Sequence, residues 1–191
     1  MNFLGHLFLS GNDPLVTVGN FMADAVKGRD LSRFPEGVQR GIRLHRAIDA
    51  FTDAHPLHRA GRARVRPHAG RYAAVVVDLF YDHLLAAGWH IWHPEPLVDY
   101  AARMYRMLHA HEHLLPARTR GMLPYMIAGD WLSSYAELDG LARALDGLSR
   151  RTPEGAPMRG AEHVLHRERE RYTEEFTNFL PEVAYHVKEQ R

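Results

Sequence analysis

Apolar residues recur along almost the whole chain at the three-and-four spacing of an α-helix, and good strand signals are missing. Asp13-Pro14 reads as an N-cap followed by proline at the first helical position, opening a helix that runs to about Lys27-Gly28. Pro35 opens the next, which runs to about Asp53 and stops before Pro56. A short Arg-rich segment, 57 to 65, precedes a very apolar helix from about Arg71 to Ala87, which Gly88 ends. Further helices fit 95 to 111, 117 to 128, 130 to 148 and a long charged stretch from about 160 to 189. The connections are short and carry Pro, Gly or both, as in RRTPEGAP at 150 to 157. With no internal repeat, linker or low-complexity block, the pattern predicts an all-α, single-domain helical bundle over residues 1–191.

Composition narrows the chemistry. A chain of 191 residues with 46% hydrophobic residues can bury one sizeable core. The absence of Cys removes disulfides, thiolate metal sites and cysteine nucleophiles together. No apolar run approaches the roughly 20 residues of a membrane span. The opening MNFLGHLFLS lacks a basic n-region and a small-residue cleavage site, so it does not read as a signal peptide, and a cytoplasmic location is the default expectation. The net charge of +1 argues against wholesale nucleic-acid binding. Its distribution says more: of 24 basic residues 22 are Arg, and between Arg40 and Arg71 eight Arg face only Asp49 and Asp53. That is a surface suited to an anionic partner, or simply a solvated Arg-rich face.

The stretch VVVDLFYDHLLAAGW, residues 75 to 89, carries Asp78, Asp82 and His83 in a helix that is apolar nearly all round, as central helices are. At about 100° per residue the two aspartates lie about 40° apart, one turn along from each other, where carboxylates repel. A protonated carboxyl, an Arg or Lys partner, or a metal ion would each compensate. GIRLHRAIDAFTD, residues 41 to 53, repeats the puzzle. Val38, Ile42, Leu44, Ile48 and Phe51 form its apolar side, Arg40, Arg43 and Arg46 the other, and His45 and Asp49 fall inside the apolar arc. An inward His and carboxylate at i and i+4 is a spacing by which one helix offers two ligands to one ion.

His6, in NFLGHLFL, and Asp24, in VGNFMADAVKG, add two more inward polar residues. The candidate set is therefore His6, Asp24, His45, Asp49, Asp78, Asp82 and His83, a mixture that suits Mn²⁺, Fe²⁺, Zn²⁺ or Mg²⁺, with the carboxylate excess favouring the harder Mn²⁺ or Mg²⁺. Duller roles exist for each: a core histidine satisfied by hydrogen bonds for His6, pairing of Asp24 with Lys27 or of Asp49 with Arg46 or Arg43, helix capping by Asp78 and Asp82. The number of inward acids with few inward cations is what points to an ion. His109, His111 and His113 fan around a helix end, and His55, His58 and His68 read as surface residues. Ser133-Ser134 lacks a nucleophile-elbow context and no Gly-rich phosphate loop is present.

At these residues the chain resembles the bacterial acyl carrier protein phosphodiesterases. The matching segments are MNFLGHL at 1 to 7, GNFMADAVKG at 19 to 28, GIRLHRAIDAFTDAHP at 41 to 56, DLFYDHLLAAGW at 78 to 89, DWLSSY at 130 to 135 and LSRR at 148 to 151, in family order. That family is similar to a divergent branch of the HD-domain metal phosphohydrolases, so the resemblance implies an HD-domain-like helical bundle with a metal between helices. The His-Asp dipeptide of that branch is absent, and Asp82-His83 runs in reverse order. The implied reaction is hydrolysis of the phosphodiester that joins 4′-phosphopantetheine to a serine of holo acyl carrier protein, giving apo-protein. The implied cofactor is a divalent metal, Mn²⁺ first and Mg²⁺ or Fe²⁺ next.

The resemblance places His6, Asp24, His45, Asp82 and His83 as metal ligands. Asp49 and Asp78 would complete the shell or act as acid and base. Lys27, Arg43 and Arg46 would meet the phosphate or the acidic carrier protein. On this reading Asp82→Ala or His45→Ala abolishes hydrolysis and leaves the fold intact. Two other readings fit the same residues: a metal-dependent phosphohydrolase of a nucleotide or other small phosphoester, and a non-catalytic helical module that binds an acidic protein. Oligomeric state is not legible.

Overall fold

A computed structural model describes residues 1–151 and 154–188, and among them there is no strand. The chain runs α1 (Phe3–Leu9), α2 (Pro14–Met22), α3 (Glu36–Ala54), α4 (Pro56–Ala69), α5 (Ala73–Ala87), α6 (Trp89–Trp92), α7 (Leu97–Ala110), α8 (Ala117–Ala128), α9 (Trp131–Ser134), α10 (Leu138–Ser149), α11 (Glu162–Arg167) and α12 (Arg169–His186). None of these helices is long and apolar enough to cross a membrane.

α5 is the central helix its composition predicts. Val76, Val77, Phe80, Tyr81 and Leu85 are completely buried, each such side chain contributing roughly 1.5–3 kcal/mol by leaving water. α1, α4, α10 and α12 pack around it. Tyr81 meets Phe176 and Phe179 of α12 at ring-centroid distances of 5.3 and 5.0 Å, and Phe80 meets Tyr172 edge-on at 5.2 Å.

The helix that begins at Pro14 ends at Met22, sooner than its hydrophobic pattern predicts, and a 3₁₀ turn over Ala23–Ala25 follows. That change of winding swings Asp24 away from α2 and towards α3. The Arg-rich segment is a full helix, α4, because Leu57, Gly61, Val65 and Ala69 recur every four residues beneath the arginines. His55 caps it by accepting the Leu57 N–H, with Pro56 at the first helical position.

The stretch 130–148 divides into α9 and α10. Asp130 takes a left-handed conformation, φ +39°, and is held there by the Tyr105 hydroxyl, which donates to its carboxylate (3.1 Å) and accepts the Leu132 N–H (2.8 Å). α10 then folds back on α9 so tightly that a Cβ on Gly140 would lie 1.7 Å from the Ser134 carbonyl oxygen. The long C-terminal stretch divides at Glu168 into α11 and α12, and its expected end at Glu189 lies outside the described residues.

Candidate metal centre

Two glycines bring the site together. A Cβ on Gly41 would lie 2.1 Å from the Val16 carbonyl oxygen, and one on Gly19 would lie 2.2 Å from that of Val38. Only glycine at both positions lets the backbones of α2 and α3 touch, and this contact carries Asn20 of α2 against His45 of α3. Asn20 is completely buried. Its Nδ2 donates to the His6 carbonyl (2.8 Å) and to Ser10 Oγ (2.9 Å), which turns Oδ1 towards the two imidazoles.

That oxygen can only accept, so it fixes both rings. His6 Nδ1 donates to Asn20 Oδ1 at 2.9 Å. His45 Nδ1 donates to the Asn20 backbone carbonyl at 2.9 Å and lies 3.2 Å from Oδ1. The rings stack with centroids 3.9 Å apart and planes 15° from parallel, and each aims Nε2 at carboxylates. His6 Nε2 lies 3.2 Å from Asp49 Oδ1, and His45 Nε2 lies 3.2 Å from both Asp49 Oδ2 and Asp24 Oδ1. An outer partner that sets the tautomer and leaves the other nitrogen free is how proteins orient metal-binding histidines.

The electrostatics fit a cation. Burial, helped by the neighbouring charge of His45, pushes the His6 pKa down and favours the neutral ring. Its Nε2 faces Asp49 Oδ1 at 3.2 Å. Burial would lower His45 too, but hydrogen bonds to Asp24 and Asp49 outweigh it and hold its pKa up at about 9. Burial likewise opposes the ionisation of Asp49, yet the two rings hold its carboxyl far below the usual carboxylate range. The hydrogen bond from His45 lowers Asp24 in the same direction.

Without metal, then, one proton on His45 holds together four groups whose free lone pairs converge. The ligand atoms of His6, His45 and Asp49 lie within 4.8 Å of one another, and the 3.2 Å between Asp49 and each ring nitrogen is a spacing that one ion at about 2.0–2.2 Å from each can span. The residues fit a divalent metal by donor type and by tautomer.

Of the acids and histidine of α5, Asp78 lines the same cleft as the cluster, while Asp82 and His83 sit elsewhere. Asp82, completely buried, accepts the backbone N–H groups of Asn2 (3.1 Å), Leu4 (2.7 Å) and Gly5 (3.1 Å). It is the N-terminal cap of α1, supplied from another helix, since Asn2 makes no side-chain cap. Burial pushes its pKa up to about 7 against the pull of the Met1 ammonium and those amides. His83 Nδ1 donates to the Tyr135 carbonyl at 2.8 Å, and its Nε2 is buried without a partner. Asp78 accepts from the Met1 ammonium at 2.9 Å and from His58 Nε2 at 3.1 Å. His58 is therefore a fully buried partner of Asp78, not the surface residue its setting in the sequence suggests.

The predicted phosphate-binding cations also separate. Arg46 donates to the carbonyls of Gly28 (2.8 Å) and Val26 (3.4 Å) and pins the segment that follows Asp24. Arg43 is exposed and donates to Gln39, and Lys27 is exposed. Much of the Arg40–Arg71 surface is engaged internally: Arg40 with Asp13, Arg62 with Asp53, Arg64 with Glu175 and Arg71 with Glu154.

Other cations line the same cleft. Its volume is about 380 Å³, and it is lined by His6, Asp24, His45, Asp49 and Asp78 together with Met1, Arg118 and Arg151. Sequence reasoning assigned no role to Arg118, Arg151 or Asn20. Asn20 and Arg151 lie within segments already singled out, GNFMADAVKG and LSRR, but only the fold shows what they face.

Two stacked imidazoles and two carboxylates in a cleft that two arginines also line give an all-α protein with a candidate site for a divalent ion. Residues 1–183 match the family model described as acyl carrier protein phosphodiesterase. The acyl carrier protein phosphodiesterase of Yersinia pestis is 30% identical over 182 residues, 95% of this chain and 94% of that one. The protein of the same name from Serratia proteamaculans (strain 568) is 30% identical over 192 residues, the full length of both. No solved structure matches. The chain belongs to the acyl carrier protein phosphodiesterase family.

Proposed function

We propose that this protein is a metal-dependent phosphodiesterase that hydrolyses the 4′-phosphopantetheine diester of holo acyl carrier protein. The observation that carries the reading is the convergence of His6 Nε2, His45 Nε2, Asp49 and Asp24 in a cleft that Arg118 and Arg151 also line. Family membership and the relatives' names support the substrate.

In this reading His6, His45 and Asp49 hold the ion and Asp24 completes the set. A bound divalent metal, Mn²⁺ by preference, supplies Lewis acidity towards the attacking water and a phosphoryl oxygen. Asn20 keeps both rings in the ligating tautomer. Asp24, whose side chain is 82% exposed, stands on the water side of the cluster and is the group that exchanges a proton with the reacting water or the departing serine oxygen. Arg118 and Arg151 balance the charge of the diester and its phosphomonoester product. Water adds at phosphorus, the bond to the serine oxygen breaks, that oxygen gains a proton, and the phosphate stays on the pantetheine.

Asp82 serves this site from a distance: by capping α1 it sets where His6 stands. Intact mass spectrometry of holo acyl carrier protein incubated with the protein tests the reading. Loss of the arm with Mn²⁺ and none with a chelator is expected; no loss with any divalent metal contradicts it.

A further inference from the structure

A second cavity, of about 220 Å³, lies beside the cleft and is walled by Trp131, Tyr135, Gly140, Ala144, Gly147 and Leu148. That volume is several times the roughly 30 Å³ a water molecule takes up in the liquid. Its lining is mainly apolar, with the Asn2 amide and the Tyr135 hydroxyl, 3.4 Å apart, among its polar groups and Ser134, Arg143 and Arg151 as the others. Asn2, Phe3, Leu148 and Arg151 line both the cavity and the metal-site cleft, so the two spaces adjoin at these residues. The two segments that the metal cluster leaves without a role, DWLSSY and LSRR, both contribute to this cavity.

We infer that the cavity receives the pantetheine arm, the part of the substrate that remains on the phosphate after hydrolysis; this rests on the function proposed above. The arm is uncharged, with a geminal dimethyl group at its phosphate end, two amides along its length and a terminal thiol. A mainly apolar cavity with a few hydrogen-bonding groups suits that chemistry and does not suit an acidic protein surface. The polarity of the two spaces sets the direction of binding. Phosphate lies between the metal cluster and Arg151, the arm runs past Leu148 into the cavity, and the serine and its carrier protein stay on the open side of the cleft near Arg118.

The absence of cysteine from the chain allows a direct test. A Cβ on Gly147 meets nothing within 4 Å, and the same holds for Gly121 of α8, which is not among the residues lining the cavity. Gly147→Cys therefore puts a single thiol on an exposed residue of the cavity lining without crowding the fold, and Gly121→Cys puts one on an exposed residue outside that lining as the control. Holo acyl carrier protein whose pantetheine thiol carries a 2-pyridyl disulfide is added under chelator. Attack of the introduced thiolate forms the protein–arm disulfide and expels 2-thiopyridone, which is followed by absorbance.

Exchange at least tenfold faster with Gly147→Cys than with Gly121→Cys is expected, and equal rates overturn the assignment. Exchange needs no turnover, so the two readings fail separately. Equal rates with a wild-type protein that still releases the arm under Mn²⁺ overturn the cavity alone. Preferential exchange without release under any metal upholds the cavity and overturns the hydrolysis.

Discussion

The His45–Asp49 face of α3 and the Asp78–Asp82–His83 face of α5 look alike as sequence, since each sets acid and imidazole at helical spacing among apolar residues. In the fold they are opposites. Asp82 is buried completely, yet three backbone amides donate to it, and Asp78 is paired with an ammonium and an imidazole. Asp49 is half-exposed, and the groups facing it are the Nε2 atoms of two rings whose Nδ1 protons are already directed to Asn20. Burial of a carboxylate therefore says little about metal binding. What distinguishes the α3 site is that its lone pairs converge with too few protons to satisfy them.

The largest expected contrast is between variants of the two faces. His45→Ala or Asp49→Ala lowers hydrolysis of holo acyl carrier protein by more than about 100-fold, beyond the usual cost of an outer partner, while circular dichroism and melting temperature stay near wild type. Asp82→Ala leaves three buried amides unpaired and acts through stability, costing about 2–4 kcal/mol. At roughly 2–4 °C per kcal/mol for a chain of this size, thermal melting reads it as a drop of about 5–15 °C. The reverse pattern, with a stable but inactive Asp82→Ala and an active His45→Ala, would place the ion on α5.

Asn20→Ala sharpens the comparison by removing the group that sets both tautomers. Its expected effect is a 10- to 100-fold loss of metal affinity, visible by calorimetric titration with Mn²⁺. Arg118→Ala is expected to raise KM for holo acyl carrier protein about tenfold, the value of one charge-assisted hydrogen bond, and an unchanged KM would remove it from the phosphate path.

The smallest effect is on acid stability. Burial alone would raise the Asp78 pKa, but the Met1 ammonium and the His58 hydrogen bond outweigh it and hold it at about 2. The folded state thus binds that proton less tightly than the unfolded chain. The stabilisation, on the order of 2 kcal/mol, is fully present above about pH 4 and is lost as pH falls through 2. Asp78→Asn should flatten that limb in urea titrations between about pH 4 and 2; an unchanged slope would show the pairing to be without weight.

The helical class, the central place of α5 and the inward face of α3 follow from hydrophobic spacing, which is a local property and so is legible in the sequence. His6, His45 and Asp49 were legible as inward polar residues, whereas Asp24, read the same way, has its side chain 82% exposed, and which acids meet which histidines is a matter of helix packing. The α2–α3 contact that brings Asn20 to His45 depends on two glycines sixty ångströms of extended chain or more apart, and no periodicity reveals it. The capping of α1 by Asp82 spans 77 to 80 positions and is hidden in the same way. α4 was obscured because its arginines outweigh a stripe of small apolar residues in any local average. The breaks at 135–137, between α9 and α10, and at Glu168 lack the Gly or Pro that marks a turn.

The most direct test of the account is Mn²⁺ binding to the purified protein, to Asp49→Ala and to Asp82→Asn, followed by the loss of the free-ion electron paramagnetic resonance signal. The account predicts stoichiometric binding by the wild type and by Asp82→Asn, and none by Asp49→Ala. Binding that survives Asp49→Ala and disappears with Asp82→Asn would contradict it.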